Sequence, residues 1–364
     1  MILALLNLSP RTMRGLRAIA AVLPLLLPMA MVRAHDLGLA SGQPDLFAWL
    51  PLVIYFGVFT VLDYVIGRDT TNDAVDSRFL AAWFRALPVA AVPVFVITLG
   101  WAMQVFVSAP FTWVGKLGWI LSMGTVSGAL AINTAHELIH KTTRLEQALG
   151  GFLLSSVCYA TFKVEHVHGH HQWVATPRDP STARLGESVY GSLRRAIAQN
   201  VANAWRLQLQ RLNRRHAAFW SFQNELLAWS GVTIALGVIA WWVFGTSGLV
   251  FFFAQAAGAI VHLEITNYIE HYGLVRPQDE NGKFAKVDER HSWNSAYFIS
   301  NAYLFQLQRH SDHHFHAGRT YNTLQHYDTS PQLPGGYAAM FILALLPPLW
   351  RRAIDPRVPH SSVV

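Results

Sequence analysis

The stretch from Thr112 to His140 reads TWVGKLGWILSMGTVSGALAINTAHELIH. Its first part is apolar over 112–134, with Lys116 the sole charge, and it is long enough to cross a bilayer, for which ~20 helical residues suffice. It then ends in His136-Glu137-Leu138-Ile139-His140. A spacing of four places the two imidazoles on one helix face, one turn apart, where both can reach a single metal ion. One helix thus carries two statements: the chain enters lipid, and it emerges holding metal-binding side chains.

Working outward, further apolar stretches of spanning length occur at about 16–33, 46–66, 87–107, 226–244 and 249–269. With 112–134 they predict an all-α integral membrane protein of about six transmembrane helices, arranged as one domain over 1–364. Composition agrees: 52% of the 364 residues are apolar and only 13% charged, where soluble domains carry roughly a quarter charged residues. The connections at 35–45, 108–111 and 245–248 hold no Lys or Arg, whereas the alternate ones hold Arg68, Arg78, Arg85, Lys141, Arg144 and Lys163. The positive-inside rule then puts both termini and the segments 135–225 and 270–330 in the cytoplasm. The exceptions, Arg33 and Lys116, lie near helix ends where long stems reach the interface. The net charge of +7 belongs to this loop pattern, and no nucleic-acid motif accompanies it.

The N-terminal segment reads two ways. Arg11, Arg14 and Arg17 before Ala18–Val32 resemble a signal peptide, but the run equally suits a retained first membrane helix, which is the expectation over 1–34. Ala148–Phe162 is too short to span easily and is expected at the interface. Gly335–Trp350, broken by Pro347 and Pro348, is expected to be interfacial or re-entrant.

Seventeen histidines are present, and eleven of them fall in four clusters. Beside His136 and His140 stand His166-Val167-His168-Gly169-His170-His171, then His271 within Asn267–Gly273, then His310-Ser311-Asp312-His313-His314 followed by His316. Topology brings all four clusters to one membrane–cytosol boundary, while His35 lies on the opposite side. His168 is out of phase with its neighbours and is assigned to the surroundings of the site, with His316 left open. Single histidines are usually satisfied surface or core groups, the reading given to His216, His262, His291, His326 and His360. Nine matched histidines are too many for one tetrahedral ion and suit two ions of higher coordination number; imidazole suits iron, copper, zinc and nickel alike.

Cys158 is the single cysteine, so the chain has no resident rubredoxin-type or iron–sulfur centre, and no dinucleotide fingerprint is present. Redox chemistry here would draw its electrons from a separate protein. Rival readings are an intramembrane zinc protease, since His136–His140 fits H-E-x-x-H with Glu137 as base, and a metal transporter. The first leaves the other histidines without a task. The second would put ligands at mid-membrane instead of at one face.

The combined motifs resemble the membrane alkane monooxygenase family within the fatty-acid desaturase/hydroxylase superfamily. They are Ala135–Lys141, Glu165–His171 with Ala175–Arg184, Asn267–Leu274 and Leu307–His314, with Leu62, Asp63, Gly67, Asp69 and Asn72 upstream. The resemblance implies iron ligation by His136, His140, His166, His170, His171, His271, His310, His313 and His314. It also implies two non-haem irons, O2 as co-substrate, hydroxylation of a terminal methyl carbon, and electrons from rubredoxin and its reductase in an inner membrane. The related xylene-type branch oxidises methyl groups on aromatic rings and uses a ferredoxin-type reductase; a lipid desaturase or fatty-acid hydroxylase is the other relative. Phe315-His316-Ala317-Gly318-Arg319 departs from the usual alkane pattern after the last ligand, which leaves the branch open.

Carboxylates next to such ligands are expected to orient the rings, which nominates Glu137, Glu165, Glu270 and Asp312. Glu264 lies seven residues before His271 on the same helix face, deep enough to be costly unless it serves the site. Tyr55, Phe56 and Phe59, with Trp101 or Trp119, are candidates to limit a substrate tunnel. Arg194, Arg195, Arg206, Arg211, Arg214 and Arg215 form a basic group for anionic lipid or an acidic electron carrier.

Overall fold

The structure is a computed structural model that describes residues 2–6, 8–72 and 77–359, so His360 lies outside the described residues. Among these residues all regular structure is helical, with only isolated bridges such as Arg68 to Tyr297. Three helices, Pro44–Ile66, Arg78–Ser108 and Glu225–His271, are long and apolar enough to cross a membrane, and the bent pair Arg11–Ala20 and Leu23–Ser41 is so only when its two helices are taken together, as a broken span or a re-entrant loop. Glu225–His271 breaks at Gly245 (φ 65°, ψ −166°), a conformation that side chains with a Cβ avoid, so its two arms correspond to the separate passes expected at 226–244 and 249–269. Helix 113–139 matches the remaining expected pass.

The first pass differs from the expectation over 16–33. Pro10–Ala20 forms its own helix, capped by Ser9, and the chain turns about 40° before restarting at Leu23 with Pro24 in its first turn. The second helix then runs on to Ser41 and stops at Gly42, whose positive φ of 68° lets Gln43 N–H return to Gly38 O. Pro10–Ala20 is tied down at its end: Arg17 makes a two-pronged ion pair with Asp69, at 2.6 and 2.8 Å.

The passes pack through small residues, as helices in lipid do when apolar driving force is lacking. A Cβ on Gly124 would come within 3.0 Å of the Gly258 backbone, which brings 113–139 against the second arm of Glu225–His271. Ser127 donates to Gln255 at 2.6 Å across the same seam. Phe95, Trp119, Met123, Leu130, Phe251 and Phe252 fill the buried interior, while Val61, Ile97, Ile234, Trp242, Val250 and Phe253 face outward as a lipid-contacting surface would.

Two short segments expected near the interface pack against the bundle. Arg144–Ser156 is inserted among the helices with Gly150, Gly151, Leu153 and Leu154 buried, because its glycines admit Ile139 and Trp229. Gly335–Trp350 becomes two helices, Tyr337–Ala344 and Pro347–Ile354, and Trp350 is fully buried against Tyr268 and Tyr272. Tyr337 and Phe341 of this segment line the same cavity as His136, His166 and His310, so it packs at the end of the bundle where the histidine clusters gather.

Candidate metal centre

Three π-helical turns, Val53–Val58, Ser127–Ile132 and His166–His170, interrupt the helices around the site. Such turns widen a helix by one residue and are common at functional sites. The one at His166–His170 has a direct consequence. In a regular helix His166 and His170 would share a face. The wider turn instead pairs His166 with His171, five residues on, with Nε2 atoms 3.0 Å apart, and sends His170 to a different set.

Two sets result. His136, His140, His166, His171 and His313 form one, and His170, His271, His310 and His314 the other; within each, one ring nitrogen per residue lies within 4.8 Å of all the others. In the first set the Nε2–Nε2 separations are 3.1 Å for His140–His166 and 3.1 Å for His171–His313. In the second they are 3.2 Å for His170–His314, 3.0 Å for His314–His310 and 3.2 Å for His310–His271. The nine histidines singled out from the sequence are the nine that gather.

Burial, followed by the proximity of the other histidines, pushes the His166, His171, His310, His313 and His314 rings far below the ordinary imidazole range; burial and nearby Lys141 bring His140 down to about 3. The rings are therefore neutral and present lone pairs. Many Nε2 atoms facing one another at 3.0–3.2 Å cannot all find protons to share, and the buried His136 Nε2 has no hydrogen-bond partner. Ligands each roughly 2.1 Å from a common ion and at right angles to one another stand about 3.0 Å apart. The donor sets therefore fit two metal ions.

The surrounding carboxylates are placed differently from their sequence neighbourhood. Glu137 pairs with Lys141 and accepts from Tyr321 N–H at 3.3 Å. Asp312 binds Arg319, Tyr327, Gln325 N–H and His316 Nδ1. Glu264 accepts from Tyr159 at 2.5 Å, Asn200 at 3.3 Å and Asn267 at 3.2 Å, bracing the helices behind the histidines. Glu165 is buried, its Oε1 without a partner, and burial pushes its carboxyl well above the usual range. Of these five carboxylates, Glu270 is the one that reaches a ring of the two sets: its Oε2 lies 3.2 Å from His310 Nε2. The group that orients a ring from behind is one that adjacency in sequence did not reveal. Asp179 Oδ2 lies 3.0 Å from His170 Nδ1 and is held by Thr182 Oγ1 at 2.6 Å. Nothing periodic links residues 170 and 179; the loop between them makes the contact. His168 is exposed and belongs to neither set, and His316 is turned to Asp312.

Beside the histidines lies a narrow cavity of about 30 Å³, lined by Tyr55, His136, Phe162, His166, His262 and Phe341 among others, with Glu270 and His310 in its wall. It has room for one or two waters. Of the expected tunnel residues, Tyr55 lines it; Phe56 packs on Phe341 and Phe59 on Tyr303, one layer out. Trp101 and Trp119 pack edge-on or tilted against His35 in a separate group. His262, read as an ordinary buried histidine, sits 3.3 Å from the Tyr55 hydroxyl and packs on Phe341. On the opposite side a groove of about 620 Å³ is lined by Glu165, Trp173, Arg178, Arg206 and Arg214. Of the other basic candidates, Arg195 is paired with Glu187 and Arg211 with Glu225.

The sequence pattern of the family described as "Fatty acid desaturase" matches residues 111–344. The chain is 48% identical over 357 residues to "Alkane 1-monooxygenase 1" of Pseudomonas aeruginosa, covering 97% of this chain and 94% of that protein. It is 46% identical over 325 residues to "Alkane 1-monooxygenase 2" of the same organism, covering 88% and 86%. More distantly, it is 27% identical over 234 residues to "Xylene/toluene monooxygenase hydroxylase component XylM" of Pseudomonas putida, covering 64% and 62%.

Proposed function

The chain belongs to the alkane 1-monooxygenase family, and from that membership we propose that it hydroxylates the terminal methyl group of a medium- or long-chain n-alkane to the primary alcohol, using O2 and two irons. The observation that carries the reading is the pair of histidine sets, five and four, beside an apolar cavity. His136, His140, His166, His171 and His313 hold one iron; His170, His271, His310 and His314 hold the other. Bound iron supplies the one-electron chemistry that activates O2, which no side chain here can do.

The chain's own task is placement and exclusion. Asp179 fixes the His170 ring so that Nε2 points inward. Phe162, stacked on His166 at 4.6 Å, and Leu304 and Leu307 keep the cavity wall dry. The substrate dissolves in the bilayer and enters between helices; since the cavity holds one or two waters, Tyr55, His262 and Phe341 must swing aside to admit a chain. Electrons come from a separate carrier, rubredoxin with its reductase or a ferredoxin-type reductase. The groove with Arg178, Arg206 and Arg214 suits an acidic donor. The distribution of arginines and lysines supports an orientation with this face and both termini on the cytoplasmic side, in the inner membrane of our reading.

The aromatic lining from Tyr55, Phe162 and Phe341 favours a second substrate class, methyl groups on aromatic rings. Expression with a rubredoxin system under 18O2, offering octane, hexadecane and p-xylene, separates the two. Labelled 1-alkanols support the first reading, labelled methylbenzyl alcohol alone the second. An alkene product would reject hydroxylation, and no labelled product from any substrate would reject both.

A further inference from the structure

The two histidine sets are unequal, five donors against four. At the shorter set one further donor is in place. The Glu270 carboxylate is 1% exposed, and its Oε2 stands 3.2 Å from His310 Nε2, the same separation that His310 Nε2 keeps from His271 Nε2. We propose that Glu270 is itself a ligand of the metal held by His170, His271, His310 and His314, so that each ion receives five protein donors.

The argument rests on the two-metal reading and on lone pairs. If His310 binds metal through Nε2, that nitrogen carries no proton. Glu270 Oε2 then has nothing to accept from it, and two lone-pair-bearing atoms face each other at 3.2 Å inside a site closed to water. A cation between them removes the conflict. The opposite assignment, with Nε2–H donating to Glu270, takes His310 out of the ligand set and leaves its buried Nδ1, which has no partner, as the sole free nitrogen. The other carboxylate oxygen is occupied. Glu270 Oε1 accepts the Tyr337 hydroxyl at 2.8 Å, which leaves Oε2 aimed at the histidines. Charge argues the same way. Nine neutral imidazoles offset none of the charge of two divalent ions in a buried site, and one anionic donor lowers that cost. Glu270 also lines the narrow cavity, so the anionic ligand stands on the face that substrate approaches.

The test is metal binding, read without turnover. The full chain is purified in detergent or nanodiscs and titrated anaerobically with Co(II), following its ligand-field absorption, and with 57Fe(II), following the Mössbauer spectrum. The wild type is expected to take two ions. Glu270→Gln keeps the shape and the Tyr337 contact and is expected to weaken one of the two ions about tenfold or more, with a changed spectrum for that ion alone. The same loss is expected in a His171→Ala background, where the five-histidine ion is already weakened. Tyr337→Phe, which only frees the carboxylate, is expected to give a smaller shift of the same ion. Two ions bound by Glu270→Gln with wild-type affinity and wild-type spectra would overturn the ligand role. A wild type that binds fewer than two ions would overturn the two-metal reading beneath it, a result distinguishable from the first.

Discussion

His166 and His171 point their Nε2 atoms at each other across 3.0 Å, although they are five residues apart on one helix. The pairing exists because a π turn spans His166–His170, and it divides the His166–His171 cluster between two sets. The assignment is checked by counting. His171→Ala is expected to lower bound metal from two ions per chain towards one, with the ion of His170, His271, His310 and His314 retained. Loss of both ions together, or of neither, contradicts the division.

Asp179 acts on the site through His170 Nδ1. Asp179→Asn keeps a hydrogen-bonding side chain but removes the charge, and it is expected to weaken metal binding by about 10–100-fold, as loss of such supporting partners does elsewhere. Metal affinity at fixed protein folding, judged by helical circular dichroism, is the measurement. An unchanged affinity would assign Asp179 to the loop alone.

The cavity is too small for a hydrocarbon chain as it stands, and Phe341 closes it with Tyr55 and His262. Phe341→Ala is expected to shift the product ratio towards longer or bulkier substrates by at least several-fold, since each methylene accommodated or refused is worth about 1–3 kcal/mol. Competition between octane and hexadecane, followed by gas chromatography of the alcohols, reads the shift. Phe56→Ala, one layer out, is expected to move the ratio less.

Arg17 joins the N-terminal helix to Asp69, and Asp69 O in turn accepts from Arg309 at 3.0 Å, the residue before His310. Arg17→Ala is expected to cost about 1.5–3 kcal/mol, the range of hydrogen bonds to charged groups, and to lower the thermal midpoint in detergent. Burial alone would raise the Asp69 carboxyl, but the Arg17 bonds outweigh it and hold the group below its ordinary range. Its contribution is therefore complete above the unfolded value of about 3.9 and fades only as pH falls below it. A midpoint unchanged by the substitution at neutral pH would show that the arm is not coupled to the site.

Much of this architecture was legible in the residues. Helix 113–139, with apolar residues ending in His136–His140, needed only its length and its spacing of four. The nine histidines stood out because their clusters fall near one another once the chain is threaded through a bilayer. Other features were hidden because their cause is not local. Asp179, His262 and Phe341 carry no periodic signal. They matter through neighbours 9, 207 and 79 positions away, His170, Tyr55 and His262. The carboxylates chosen by adjacency divide for a geometric reason: most residues next to a ligand on a helix point away from it, whereas Glu270 reaches His310. Glu137 turns to Lys141, and Asp312 to Arg319.

What the amino-acid sequence determined by itself was solvent and element: apolar runs of spanning length have no stable state in lipid except as helices, because every backbone group must be paired internally. It determined, too, which side chains could hold metal. The tertiary structure decided how those side chains divide. The π turn at His166–His170 changes the face of each following residue by about 100°, and no count of spacings reveals it. It likewise decided that, among the acidic neighbours of the nine histidines, Glu270 is the one whose carboxylate oxygen reaches the Nε2 of one of them.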